Sequence, residues 1–105
     1  MRTIQASDLR DLIESSDGKI SIVNTLPKES FDKTKIPGAI NIPQTEPDFV
    51  DRVEEAIGGK SQPVVVYCAS SKCDSSEQAA EKLDNAKFAN VFDFAAGAEG
   101  WKSQQ

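Results

Sequence analysis

The sequence predicts a small α/β domain built on a mainly parallel sheet with right-handed crossovers. Three observations point there. Short β-branched runs alternate along the chain with amphipathic stretches at helical spacing. One of these runs, Val64-Val65-Val66-Tyr67, is apolar at every position, as a central parallel strand covered on both faces must be. The length of 105 residues suits one domain spanning the chain, because two useful cores would not fit.

The elements follow in order. Ser7 is a plausible N-cap for a first helix that carries Leu9, Leu12 and Ile13 at helical spacing, and the polar Ser15-Ser16-Asp17-Gly18 stops it. Ile20–Asn24, rich in Ile and Val, reads as a strand closed by Thr25-Leu26-Pro27. A short polar turn or helical segment spans 28–33. Pro37-Gly38 turns the chain into a brief strand, Ala39-Ile40-Asn41-Ile42, which Pro43 ends. Thr45 is read as the cap of the next helix, whose apolar stripe is Phe49, Val50, Val53, Ala56 and Ile57 and whose stop is Gly58-Gly59.

After the central strand, a helix begins at Asp74 or Ser75. Either register offers a capping box, Asp74 with Glu77 or Ser75 with Gln78, and Ser76, Ala79, Ala80 and Leu83 share one face. Val91–Phe94 is the last strand. Gly97 and Gly100 then flank a short turn or helix that presents Trp101 to the core or to the rim of a site. The acidic run Asp48, Asp51, Glu54 and Glu55 reads as a solvated helix face.

Composition excludes several classes of function. Seventeen acidic against twelve basic side chains give a net charge of −5, a poor match for nucleic acid or an anionic membrane surface. No apolar run is long enough to span a bilayer and the N-terminus lacks a signal-peptide pattern, so a cytoplasmic location is expected. With no histidine there is no Ser-His-Asp triad and no His-based zinc site within the chain. The two cysteines, Cys68 and Cys73, are too few for a disulfide scaffold or a closed zinc site, and they remain candidates for nucleophilic or redox work. No cofactor or metal is expected.

Ligands of open α/β sheets bind beyond the carboxyl ends of the strands, and Cys68 stands at such an end. The residues after it, Ala69-Ser70-Ser71-Lys72-Cys73-Asp74-Ser75, form a loop of small polar side chains leading into a helix start, able to aim backbone amides at an anion. Those amides, the helix dipole and Lys72 are expected to lower the Cys68 pKa from its free value of about 8.5 and so raise the nucleophilic fraction. The plainer reading of Cys68 is an inert buried hydrophobe, and its position between the central strand and a capped helix argues against that. Lys72 reads as a solvated loop charge rather than a substrate clamp, and Ser70-Ser71 as a source of flexibility and amides. Cys73 reads either as a small loop residue pointing away or, if the loop curls, as a resolving cysteine within bridging range of Cys68.

Three separated motifs carry a resemblance to a known family. Lys35-Ile36-Pro37-Gly38-Ala39-Ile40-Asn41-Ile42-Pro43 is similar to the HIPGAINIP element of single-domain rhodanese-like sulfurtransferases. Val64-Val65-Val66-Tyr67-Cys68 resembles their active-site strand and nucleophile, and Gly97-Ala98-Glu99-Gly100-Trp101 their GG-x-x-x-W signature. The order and spacing fit too, and the likeness runs from Ser7 to Trp101.

That resemblance implies a three-layer α/β/α domain with a central parallel sheet, and it places at Cys68 a cysteine that accepts sulfane sulfur as a persulfide. Residues Ala69 to Ser75 would then hold the persulfide and the anionic head of the donor. The expected partners are a small sulfur donor, such as thiosulfate or a persulfide, and a thiophilic or protein-thiol acceptor. The sequence departs from the pattern at Asn24-Thr25-Leu26, where the family commonly has Asp-x-Arg, and at Lys35, where it has His. Ala96 precedes Gly97 in place of the Gly pair, and the loop is longer than the short form, with Lys72 where an Arg often lies. Donor preference therefore stays open.

Three activities compete. The first is a sulfurtransferase whose two half-reactions share the Cys68 persulfide. A cysteine-dependent phosphatase would need an Arg fork for the phosphoryl oxygens, and no Arg lies between Cys68 and Trp101. The third is a non-catalytic persulfide carrier or sulfur-sensing module.

Overall fold

The computed structural model describes residues 1–103. Ten elements follow one another: β1 (Arg2–Ile4), α1 (Ala6–Ser15), β2 (Ser21–Asn24), α2 (Lys28–Thr34), β3 (Ile40–Asn41), α3 (Phe49–Ile57), β4 (Val64–Tyr67), α4 (Ser75–Asn85), β5 (Val91–Phe94) and α5 (Gly97–Ser103). The strands form one five-stranded sheet in the order β1-β5-β4-β2-β3, parallel at every pairing.

β4 is the middle strand, and its four side chains are all buried. They divide between two cores because successive residues of a strand face opposite ways. Val65 and Tyr67 join Leu9 of α1, Phe94 of β5 and Ala98 of α5 on one face, while Val64 and Val66 join Phe49 and Val53 of α3 and Ala79, Ala80 and Leu83 of α4 on the other. The result is the expected three-layer α/β/α arrangement. The small side chains of α4 let that helix lie close to the sheet. Among the described residues no helix is long and apolar enough to cross a membrane.

Three local expectations are corrected. β1 was not anticipated: of its three residues only Ile4 is buried, too little for an alternation to show, and the strand exists because Arg2, Thr3 and Ile4 pair with Phe92, Asp93 and Phe94. Consequently α1 starts at Ala6, two residues earlier than a Ser7 cap would allow. Gln5 is the N-cap, its N–H donating to Asp8 Oδ2 at 2.9 Å, and Ser7 lies exposed in the first turn. Thr45 likewise does not cap α3. Pro47 disfavours helical geometry at Glu46, the chain makes a turn in which the Phe49 N–H reaches Glu46 O at 3.0 Å, and Asp48 is the N-cap. In α3 the stripe is narrower than its spacing suggests, with Phe49 and Val53 buried and Ala56 exposed.

Candidate active site

Cys68 follows β4 directly and is wholly buried. Its backbone is fastened from the far end of the chain. Gly97, at φ +67°, begins α5, whose first free amides are satisfied by the carbonyls beside the cysteine: Ala98 N–H donates to Cys68 O and Glu99 N–H to Ala69 O, both at 2.9 Å. A Cβ on Gly97 would stand 2.5 Å from Cys68 O and 2.8 Å from both Ala69 C and Ser70 N, so only glycine permits this approach.

The thiol itself points toward the start of α4. Its Sγ lies 3.4 Å from the Cys73 carbonyl oxygen and 3.7 Å from Ser76 Oγ, either of which can accept its proton. Contrary to the sequence expectation, the site raises the Cys68 pKa. Burial is the largest cause, because a thiolate out of water loses its hydration, and Cys73 pushes the same way. The amide and hydroxyl of Ser76 pull downward, as a helix N-terminus should, but do not win.

The loop between Cys68 and α4 is folded onto itself. Cys73 N–H donates to Ser70 O at 3.0 Å and Lys72 N–H lies 3.3 Å from Ser70 Oγ, so these two amides serve the loop rather than the sulfur. Ala69, Ser70, Cys73 and Ser75 are half-buried, whereas Ser71, Lys72 and Asp74 are exposed. Lys72 is thus a solvated charge. Both cysteines are free thiols, and Cys73 lies close enough to act on the Cys68 titration. Neither capping box forms at α4: Asp74 is the N-cap without a side-chain bond, and the Ser75 hydroxyl goes instead to Thr25.

Several residues around the site were not among the candidate site residues of the sequence. Thr25 is buried, its Oγ1 donating to Tyr67 O at 3.2 Å and sharing a hydrogen bond with Ser75 Oγ at 3.0 Å. Asn24 accepts from Leu26 N–H and donates to Thr34 Oγ1, both at 3.0 Å. Neutral hydrogen bonds therefore brace the ends of β2 and β4. Tyr67 adds a third tie, its OH accepting from Ile36 N–H and donating to Thr34 O, both at 3.0 Å. On the α4 side lie Ser76 and Asp93, both buried. Burial raises the Asp93 pKa, opposed in part by a hydrogen bond from Ser76. The signal for Thr25 and Asn24 was their place at a strand's carboxyl end; for Asp93 it was an acid inside a strand of aromatics and Val.

Comparison with known proteins agrees with this architecture. A family model described as the rhodanese-like domain matches residues 5–104. The solved rhodanese-like domain of an Anabaena sp. protein superposes with a TM-score of 0.81 at 25% identity, covering 99% of this chain and 75% of that one. A thiosulfate sulfurtransferase from Pseudomonas aeruginosa superposes equally well, TM-score 0.81, at 24% identity, over 99% of this chain and 19% of that one, and shows the shared fold. In sequence, an HTH-type transcriptional regulator from Mycobacterium tuberculosis is 38% identical over 56 residues, which are 53% of this chain and only 23% of the regulator.

Proposed function

The chain belongs to the rhodanese-like domain family, and on that footing we propose that it is a sulfurtransferase carrying sulfane sulfur on Cys68. The observation that supports the reading best is the placement of that thiol, at the carboxyl end of the central strand and against the amide and hydroxyl of Ser76 at the start of α4. In the first half-reaction the Cys68 thiolate attacks the sulfane sulfur of thiosulfate or a persulfide. A new S–S bond forms, the donor's S–S bond breaks, and sulfite or a thiolate departs with the electron pair. In the second, a thiophilic acceptor takes the outer sulfur and Cys68 leaves as thiolate. Neither step requires a cofactor.

Residues Ala69 to Ser75 form the donor-binding loop in this reading. Because the sulfur is wholly buried, the loop must part for the donor, releasing the Lys72 and Cys73 amides from Ser70 to receive the anionic head. Cys73 then serves as a resolving cysteine: its thiol attacks a sulfenic acid on Cys68, water leaves, and the disulfide guards against further oxidation. A reduced cytoplasm would keep both thiols available.

A second reading, a persulfide carrier or sulfur-sensing module, draws support from the raised Cys68 pKa and from the similar stretch inside a transcriptional regulator. Steady-state transfer to cyanide separates the two. A sulfurtransferase turns over thiosulfate or a persulfide with cyanide, and Cys68→Ser abolishes it; a carrier loads once and releases sulfur slowly to cyanide but fast to a particular protein.

A further inference from the structure

Asp93 is a buried acid that the transfer chemistry above leaves unused. It is 3% exposed, and its Oδ1 has no hydrogen-bond partner among the described residues. Its neighbours in register are Val66 of β4 and Thr3 of β1. Val66 and Cys68, two positions apart on one extended segment, point to the same side of the sheet, toward α4. Val91, two positions before Asp93, points to that side as well. Ser76 at the start of α4 lies over both groups: the Cys68 thiol is 3.7 Å from its Oγ, and the same side chain is near enough to Asp93 to pull its pKa down against burial.

We propose that Asp93 is a positioning residue that holds the proton of Cys68, which reaches it through the Ser76 hydroxyl. As the sulfur attacks, the S–H bond breaks and its proton passes to Ser76 Oγ while Ser76's own proton passes to a carboxylate oxygen of Asp93. The single negative charge moves from carboxylate to sulfur, and nothing is oxidised or reduced. When the acceptor has taken the outer sulfur, the proton returns along the same path. The inference rests on the reading of Cys68 as nucleophile.

Two features set this apart from a purely structural hydrogen bond. A carboxylate placed in an aliphatic layer is costly, and a neutral amide would hold Ser76 as well. The chain also has no histidine to serve as base. Few ionisable groups compete at the pair. Cys73 acts on Cys68 from the loop; β1 and β4 present Thr3 and Val66; and Glu77, Glu81 and Lys82 of α4 are exposed. Burial raises the Asp93 pKa above the ordinary carboxylate value, which makes it a stronger proton acceptor than an exposed Asp.

The test is the pH profile of Cys68 alkylation by iodoacetamide, read by mass spectrometry on the peptide that contains it, in the full chain. Wild type should stay reactive well to the acid side of the thiol's own titration. Asp93→Asn should react at least about tenfold more slowly at neutral pH and recover only as the pH rises through the thiol pKa. Ser76→Ala, which keeps the acid and loses one oxygen, should give the same profile, and the double variant should lose nothing more. Asp93→Ser, smaller and uncharged, carries the test if Asp93→Asn fails to fold. Unchanged or faster alkylation in either variant would overturn the proposal, since removing a mere negative neighbour makes the thiolate easier to form. Alkylation does not depend on sulfur loading, so a wild type that never accepts sulfur but shows this profile would refute the proposed function and not the role of Asp93.

Discussion

Replacing Gly97 with Ala should loosen the clasp between α5 and the cysteine loop, and the size of the effect follows from the geometry. At φ +67° a residue with a Cβ loses roughly 1–2 kcal/mol to backbone strain. The new methyl would also stand 2.5 Å from Cys68 O and 2.8 Å from Ala69 C and Ser70 N, all of them backbone atoms that cannot swing aside. Relief must come from separating the two segments. That lengthens the bonds from Ala98 N–H to Cys68 O and from Glu99 N–H to Ala69 O, each worth about 0.5–1.5 kcal/mol. Together these give a destabilisation of about 2–5 kcal/mol, a large share of what a domain of this size possesses. The midpoint of thermal unfolding should fall by about 10 °C or more.

Urea titration followed by the fluorescence of Trp101, the sole tryptophan, reads the loss, because that ring packs edge-on against Phe94 at 6.5 Å and leaves it on unfolding. Gly18→Ala is the internal control. Gly18 has φ +76° but open space around it, so it carries the backbone strain alone. If Gly97→Ala is no more destabilising than Gly18→Ala, the close approach of α5 to the cysteine loop has no energetic weight and the clasp is wrongly described.

The buried acid and the buried phenol give two further tests. Asp93 binds its proton more tightly folded than unfolded, so stability falls as pH rises from the ordinary Asp value of 3.8 through its raised folded value, and the penalty is complete above that. Asp93→Asn should therefore be more stable than wild type at neutral pH, with the advantage shrinking as pH drops toward the ordinary Asp value; a difference independent of pH in urea melts would show that Asp93 titrates normally. Tyr67→Phe should cost about 1–3 kcal/mol, because Ile36 N–H and Thr34 O lose their buried partner together. Denaturation that matches wild type would mean that this tie between β4 and the segment after α2 is dispensable.

What could be read from the residues, and what could not, divides along physical lines. Val64–Tyr67 was legible as the central strand because four apolar residues in succession need cover on both faces, and Cys68 was legible as the candidate nucleophile because it follows that strand. Its protonation was not. Helix start and loop amides suggest a lowered pKa, whereas the closure of the loop decides for burial, and closure depends on Gly97 and α5, far along the chain. Asp93 was hidden for a related reason. In Val91-Phe92-Asp93-Phe94 a polar residue between aromatics reads as the solvent side of a strand, but β5 lies between β1 and β4 with helices over both faces, so it has no solvent side. β1 escaped notice because its pairing with β5, across almost the whole chain, defines it better than its own three residues do.

The central claim, that Cys68 carries sulfur, is tested most directly by mass. After incubation with thiosulfate or a small persulfide, the wild-type protein should gain one sulfur atom, located on the peptide that contains Cys68 and removed by cyanide or excess thiol. Cys68→Ser should gain none, and Cys73→Ser should load as wild type does. A wild-type protein that stays unmodified with every donor, or a Cys68→Ser variant that still takes up sulfur, would contradict the assignment.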